Sequence, residues 1–440
     1  MPKFRCAGVA LFAFPFLASA AELTFYRDVL PVLENRCQEC HRPGEIGPMA
    51  LRTYKEVRPW AASMVEQVES RKMPPWDADP KFGHFANDRA LSPAELKTLV
   101  GWAKSGAKEG DPKDAPKTHR QFVDGWNIPK PDVVLSMQKP FPIPAQGIVD
   151  YQYLIVPTGF TEDKWVQMSE IRPSDRSVVH HMVMWIREPG NKWLRGDATP
   201  GEPFGPKDGL QRGDTGGLGS EILGIYTPGM VPDVWKPGQA RFIPAGSDIV
   251  FQMHYTPSGK ATSDLTKLGL VFAKEPVKQR IISISASNSR FQIPPGDPNY
   301  EVASAFTFRN PGTIESFFPH MHVRGKDYQY RITYPDGKQE VLLNVPAYRF
   351  NWQLAYKPST PLAIPAGSKI EAIAHFDNSA NNPNNPDPKA TVKFGEQTTE
   401  EMAVAFMDVA VDVSMTRRQF MTPSKPASSS PVATKPGGER

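Results

Sequence analysis

From Val133 onward the chain breaks into short apolar or alternating runs separated by Pro, Gly, Asn and Asp. VVLSM, YQYLIV, KWVQMSEI, SVVHHMVMWI, SDIVFQMHY, KLGLVFA, RIISISA, EVASAFTF, DYQYRITY, KIEAIAHF and MAVAFMDVAVDV all have strand length. Runs this short, with this punctuation, predict an all-β sandwich architecture. The 46 prolines in 440 residues are roughly twice ordinary usage and favour turns and edge strands over long helices. One repeat divides the region. IPAGSDIVFQMHY (243–255) and IPAGSKIEAIAHF (364–376) share a turn signal, a strand, then His and an aromatic residue. The repeat predicts two related β domains in tandem, 133–283 and 284–421.

The part before residue 111 reads differently. DVLPVLENRC is a short amphipathic segment. Thr53 with Glu56 makes a capping box ahead of an apolar-periodic stretch to about Arg71. Ser92-Pro93-Ala94-Glu95 starts another helix, ELKTLVGWAKSGA, which Gly106 stops. Residues 21–110 are therefore expected to be a small all-α domain, 111–132 a Pro-rich linker, and 422–440 a low-complexity disordered tail. At the extreme N-terminus, Lys3 and Arg5, a short apolar stretch and Ala-Ser-Ala match a signal peptide over 1–20. Its removal lowers the net charge from +4 to about +2 and predicts a periplasmic or secreted chain. No apolar run is long enough to span a membrane, and no basic patch suggests nucleic acid.

Of the three cysteines, Cys6 belongs to the leader, leaving Cys37 and Cys40 without a disulfide framework. CQECH is Cys-x-x-Cys-His, the c-type heme attachment pattern, in which the thiols bond the porphyrin and His41 ligates iron. A thioredoxin-like pair lacks its βαβ context here, and a zinc site lacks further cysteines. Met49, Met64, Met73 and His84 are candidates for the sixth iron ligand. Met73 is preferred, because Pro74 and Pro75 would stiffen its backbone. The region resembles small cytochrome c domains, in which a Met-Pro follows the heme motif and a helix closes the fold.

Nine histidines are present, and five fall in two closely spaced groups of the β region: His180, His181 and His254, and His320 with His322. His320 and His322, two apart, share one face of a strand. His180 and His181 would normally point to opposite faces, and both reach one metal only if the strand bends or bulges there or if each ring nitrogen is chosen to suit. His254 can supply a third imidazole from a neighbouring strand. Imidazole-only sites suit zinc or copper; a thioether beside imidazole, offered here by Met402, selects copper.

HHMVMW, QMHYTPSG, FFPHMHVRG and TTEEMAVAF, in this order, resemble the copper type II, ascorbate-dependent monooxygenases, the peptidylglycine α-hydroxylating and dopamine β-monooxygenases. The resemblance covers most of 133–415. It implies two jelly-roll sandwiches carrying one copper each across a shared solvent cleft. His180, His181 and His254 would hold the electron-transfer copper; His320, His322 and Met402 would hold the catalytic, oxygen-binding copper. The implied reaction hydroxylates a C–H bond of a small substrate with O2, with electrons from the fused heme or a periplasmic donor. A heme and copper electron-transfer protein without hydroxylase activity is the alternative. Phe318 and Phe406 stand where the peptide-amidating members have Arg and Tyr, which argues against a peptide carboxylate as substrate. Phe317, Phe318 and Phe406 suggest an apolar cleft. His375, the repeat counterpart of His254, reads most simply as a core residue.

Overall fold

A computed structural model describes residues 22–122, 125–191, 193–194, 199–205 and 221–421. The expected leader and tail lie outside these residues. The first half of the β region holds β1 (Val133–Ser136), β2 (Phe141–Ile143), β3 (Gln152–Pro157), β4 (Lys164–Arg172), β5 (Val179–Arg187), β6 (Glu221–Tyr226), β7 (Asp233–Val234), β8 (Gln239–Ile243), β9 (Asp248–Tyr255), β10 (Thr262–Asp264) and β11 (Lys267–Phe272). The second holds β12 (Gln279–Ser287), β13 (Gln292–Ile293), β14 (Tyr300–Thr307), β15 (Gly312–His320), β16 (Gly325–Thr333), β17 (Gln339–Val345), β18 (Leu362–Ile364), β19 (Lys369–Phe376), β20 (Val392–Lys393) and β21 (Val404–Asp412).

Two four-stranded sheets, β3-β9-β5-β6 and β14-β19-β16-β17, face one long sheet of order β1-β11-β4-β8-β12-β21-β15-β18. The long sheet is continuous because β8 and β12 pair in parallel, Gln239 with Gln279 and Arg280 with Ala240. Each half buries its own core. Leu154, Met182, Phe251 and Leu268 belong to the first; Phe317, Tyr330, Phe376 and Met407 belong to the second. Alternation along the strands produces this layering, since period-2 side chains put every second residue inside.

The repeat is visible as a turn. In each copy the Ser donates its backbone N–H to the Pro carbonyl, at 3.2 Å for both Ser247 and Ser368. Gly246 and Gly367 between them have φ of +71° and +89°, a left-handed conformation that side chains disfavour. The strand that follows, β9 or β19, takes the same second place in its four-stranded sheet. His254 and His375 are thus structural equivalents with different fates. His375 is not a core residue: it is half-buried, its Nδ1 lies 2.7 Å from Asp327, and Glu301 is 3.5 Å from its Nε2.

The expected small all-α domain is not found. The described residues are 35 % strand and 13 % helix. Among the described residues the α-helices of the N-terminal region are α1 (Leu30–Arg36), α2 (Tyr54–Val57), α3 (Ala61–Glu69) and α4 (Pro93–Lys104), and α5 (Arg417–Met421) is the last described element. The capping boxes at Thr53 and Ser92 both form, but Pro59 interrupts the first helix with a 3-10 turn. Between α3 and α4 the chain leaves helical structure and joins the second sandwich. Asp79 N–H donates to the Asn344 carbonyl at 2.8 Å, and Ala86 N–H to that of Lys357 at 2.8 Å. Trp76 and Phe85 pack on Tyr356, with ring centroids 4.9 and 5.6 Å away. A segment rich in Pro and Asp cannot close a helical core, so it borrows one. Residues expected as linker are packed as well. Glu170 accepts from the Asn127 backbone N–H at 2.6 Å, and Ile128 is buried.

Candidate metal centre

A β-bulge answers why two adjacent imidazoles occupy a core-like strand. Along β5 and β9, Val179 opposes Tyr255 and His181 opposes His254, so His180 is the extra residue. The bulge turns both rings toward one side. Each of His180, His181 and His254 offers a ring nitrogen, and the three atoms lie within 4.8 Å of one another. The Nδ1 atoms of His180 and His181 are 3.1 Å apart. At that distance one ring's Nδ1–H can donate to the other's Nδ1.

Neighbours fix the rings. The Tyr151 hydroxyl is 3.0 Å from His181 Nε2, and the Tyr151 ring stacks on His254 at 4.7 Å. Thr398, from the second sandwich, places its hydroxyl 3.0 Å from His254 Nε2. Phe350, also from the second sandwich, stacks on His180 at 4.1 Å. Nothing in the sequence marks these three as partners of the histidines; Tyr151, Phe350 and Thr398 lie in irregular chain between strands.

His320 ends β15 and His322 follows it, their ring centroids 5.3 Å apart. His320 Nδ1–H donates to Gln353 Oε1 at 2.7 Å and His322 Nδ1–H to the Glu400 carbonyl at 3.1 Å. Both bonds leave Nε2 as the unprotonated nitrogen. Buried Glu401 clamps the segment by accepting from the backbone N–H of His322 at 2.9 Å and of Arg324 at 2.6 Å. Burial pushes its carboxyl up to about 8. Met402 follows directly, so the thioether sits on the chain segment that holds His322. Phe318 and Phe406 flank His320 at 6.4 and 6.3 Å, whereas Phe317 points into the sandwich core.

The five rings form one group: His181 and His320 are 5.7 Å apart, centroid to centroid. The open cleft implied by the resemblance is closed here. All five are between 1 % and 8 % exposed. Burial drives their pKa values down, to about 3 for His180 and about 4 for His254 and His320, so the imidazoles are neutral with lone pairs available. His180 Nε2, His254 Nδ1 and His322 Nε2 are buried without a hydrogen-bond partner among the described residues. An unpaired buried nitrogen costs about 1–3 kcal/mol, a cost that metal coordination removes. An imidazole donor set of this kind fits zinc or copper.

A second cavity, of about 610 Å³, lies between the helices and the sandwiches, within the range of about 300–1,000 Å³ usual for cofactor pockets. Cys37, Cys40, His41 and Met73 line it. Met49 and Met64 line it too, while His84 is an exposed loop residue. His41 Nδ1–H donates to the Met49 carbonyl at 3.2 Å, freeing Nε2 for a ligand. Both thiols are free, and burial raises the Cys37 pKa to about 12. A Cβ on Gly47 would meet the Cys40 carbonyl at 2.6 Å and His41 Nδ1 at 2.7 Å, so only glycine lets the chain pass behind the motif. The residues fit a covalently held heme. His180, Val179 and Trp352 form the opposite wall, which places the cavity directly against the imidazole group.

No family model and no curated protein matches the chain. Solved structures match only weakly. The VP2 subviral particle of infectious bursal disease virus is 8 % identical over 68 % of this chain and 76 % of that one, with a TM-score of 0.20. Allantoicase is 8 % identical over 55 % and 83 %, TM-score 0.16. Bacillus subtilis oxalate decarboxylase is 6 % identical over 68 % and 83 %, TM-score 0.13. Likeness at this level carries no argument about this chain. No helix among the described residues is long and apolar enough to cross a membrane.

Proposed function

We propose that this chain is an exported copper-dependent monooxygenase that hydroxylates a C–H bond of a small organic substrate, using O2 and electrons delivered through a covalently attached heme. The observation that carries the reading is the buried group of five neutral imidazoles, three of them with unpartnered nitrogens. The ordered motifs resembling copper type II monooxygenases support it. When bound, copper would supply O2 reduction and the heme single electrons. The chain's residues do the rest. His180, His181 and His254 would hold one ion, and His320, His322 and Met402 the other. Gln353 and the Glu400 carbonyl keep the second pair in the tautomer that presents Nε2. Phe318 and Phe406 exclude water beside His320 and favour an apolar substrate group there. Cys37, Cys40 and His41 would hold the heme in a cavity that His180 also lines, which would set the electron source beside the three-histidine set. Purified, copper-loaded and reduced protein should consume O2 in a substrate-dependent way. Substrate-independent consumption across a panel of apolar and aromatic compounds would count against hydroxylation. The burial of all five imidazoles favours a second reading, electron transfer between heme and copper without hydroxylation, which the same experiment separates.

A further inference from the structure

The two ligand sets are contributed by different sandwiches, and a hinge between them could hold two metals far apart. This chain has no such hinge among its described residues. The long sheet runs unbroken through the β8–β12 pairing. Arg241 on β8 reaches Asp408 on β21 at 2.7 Å and Ser283 on β12 at 2.9 Å. Arg280 on β12 pairs with Glu221 on β6 at 2.6 Å, and both are buried. Tyr153 of the first sandwich donates to Glu396 of the second at 3.1 Å. The first metal set is itself completed across the seam, since Phe350 and Thr398 hold His180 and His254. Rigid joining leaves the 5.7 Å approach of His181 and His320 as a fixed property of the fold.

We propose that the five imidazoles form one contiguous centre, in which two coppers would sit as a close pair rather than as two separate centres. This rests on the copper reading above and deepens it. Ions in two-metal sites lie about 3.5–4 Å apart, a span that two ligand sets in ring-to-ring contact can meet. His181 and His320 are the residues at which the two sets meet, with Tyr151 and Gln353 setting their orientation.

The full-length protein is loaded with Cu(II), its copper measured by metal analysis, and its electron paramagnetic resonance signal integrated. Two coppers per chain with most of the signal lost to spin coupling, and a copper–copper distance in X-ray absorption, support the close pair. His320→Ala and His180→Ala should each leave one copper with its signal fully restored. Two coppers per chain with full signal and no copper–copper distance overturn the pair while leaving the copper assignment standing. One copper per wild-type chain, or zinc in its place, overturns both. The wild-type measurements decide even if a variant fails to fold.

Discussion

At the scale of single residues, the centre depends on groups that orient imidazoles as much as on the imidazoles. Gln353→Leu removes the acceptor that fixes His320 Nδ1–H. Loss of such a partner typically weakens metal binding about 10–100-fold. Competitive copper titration should show that loss for one of two ions, with the other unaffected. Met402→Ile should abolish hydroxylation, measured as substrate-dependent O2 uptake, while the three-histidine set stays metallated. Gly47→Ala, whose Cβ would overlap Cys40 and His41, should lower the heme absorbance per chain without loss of copper. The histidine groups and the Cys-x-x-Cys-His motif stand out in the sequence because imidazole and thiol are rare and their spacing is chemical, and the structure brings the five β-region histidines together. Tyr151, Phe350 and Thr398 were not, because an aromatic or a threonine in a loop has many uses and only the tertiary fold selects one. His375 shows the converse. Its sequence setting copies that of His254, but Asp327 opposes it across the sheet where His181 opposes His254.

At the scale of elements, local rules read well where the chain satisfies its own backbone. Both capping boxes form as their sequences dictate, and Gly106 follows α4 with φ of +100°. Ser92→Ala should cost about 1 kcal/mol in denaturant-midpoint measurements, the usual worth of such a cap. The bulge at His180 was legible only as one of two ways for adjacent histidines to serve one ion, the other being the choice of ring nitrogen on each. The segment between α3 and α4 was not. Its rings at Trp76 and Phe85 give no local sign that their partner is Tyr356, some 270 residues away in the chain. Helical signals at either end of such a segment suggested a separate all-α unit, where the segment in fact packs on the second sandwich and the short helices share only a small cluster around Phe25, Leu33, Leu99 and Trp102.

At the scale of the whole molecule, the tandem β organisation was legible from the repeat, but its fusion into one sheet was not, because pairing between β8 and β12 leaves no pattern in either strand. Arg241→Met should destabilise by about 3–5 kcal/mol in equilibrium unfolding, the usual cost of leaving a buried partner, here Asp408, uncompensated. The unbroken sheet has a consequence for any attempt to produce either sandwich by itself. Cutting the chain between Ala273 and Lys278 would strip β8 and β12 of their mutual neighbour. Each half would then present a bare strand edge, a template for pairing with other chains. Isolated halves should collect in the insoluble fraction, whereas co-expressed halves should recover one another, because each is the edge protector of its sibling.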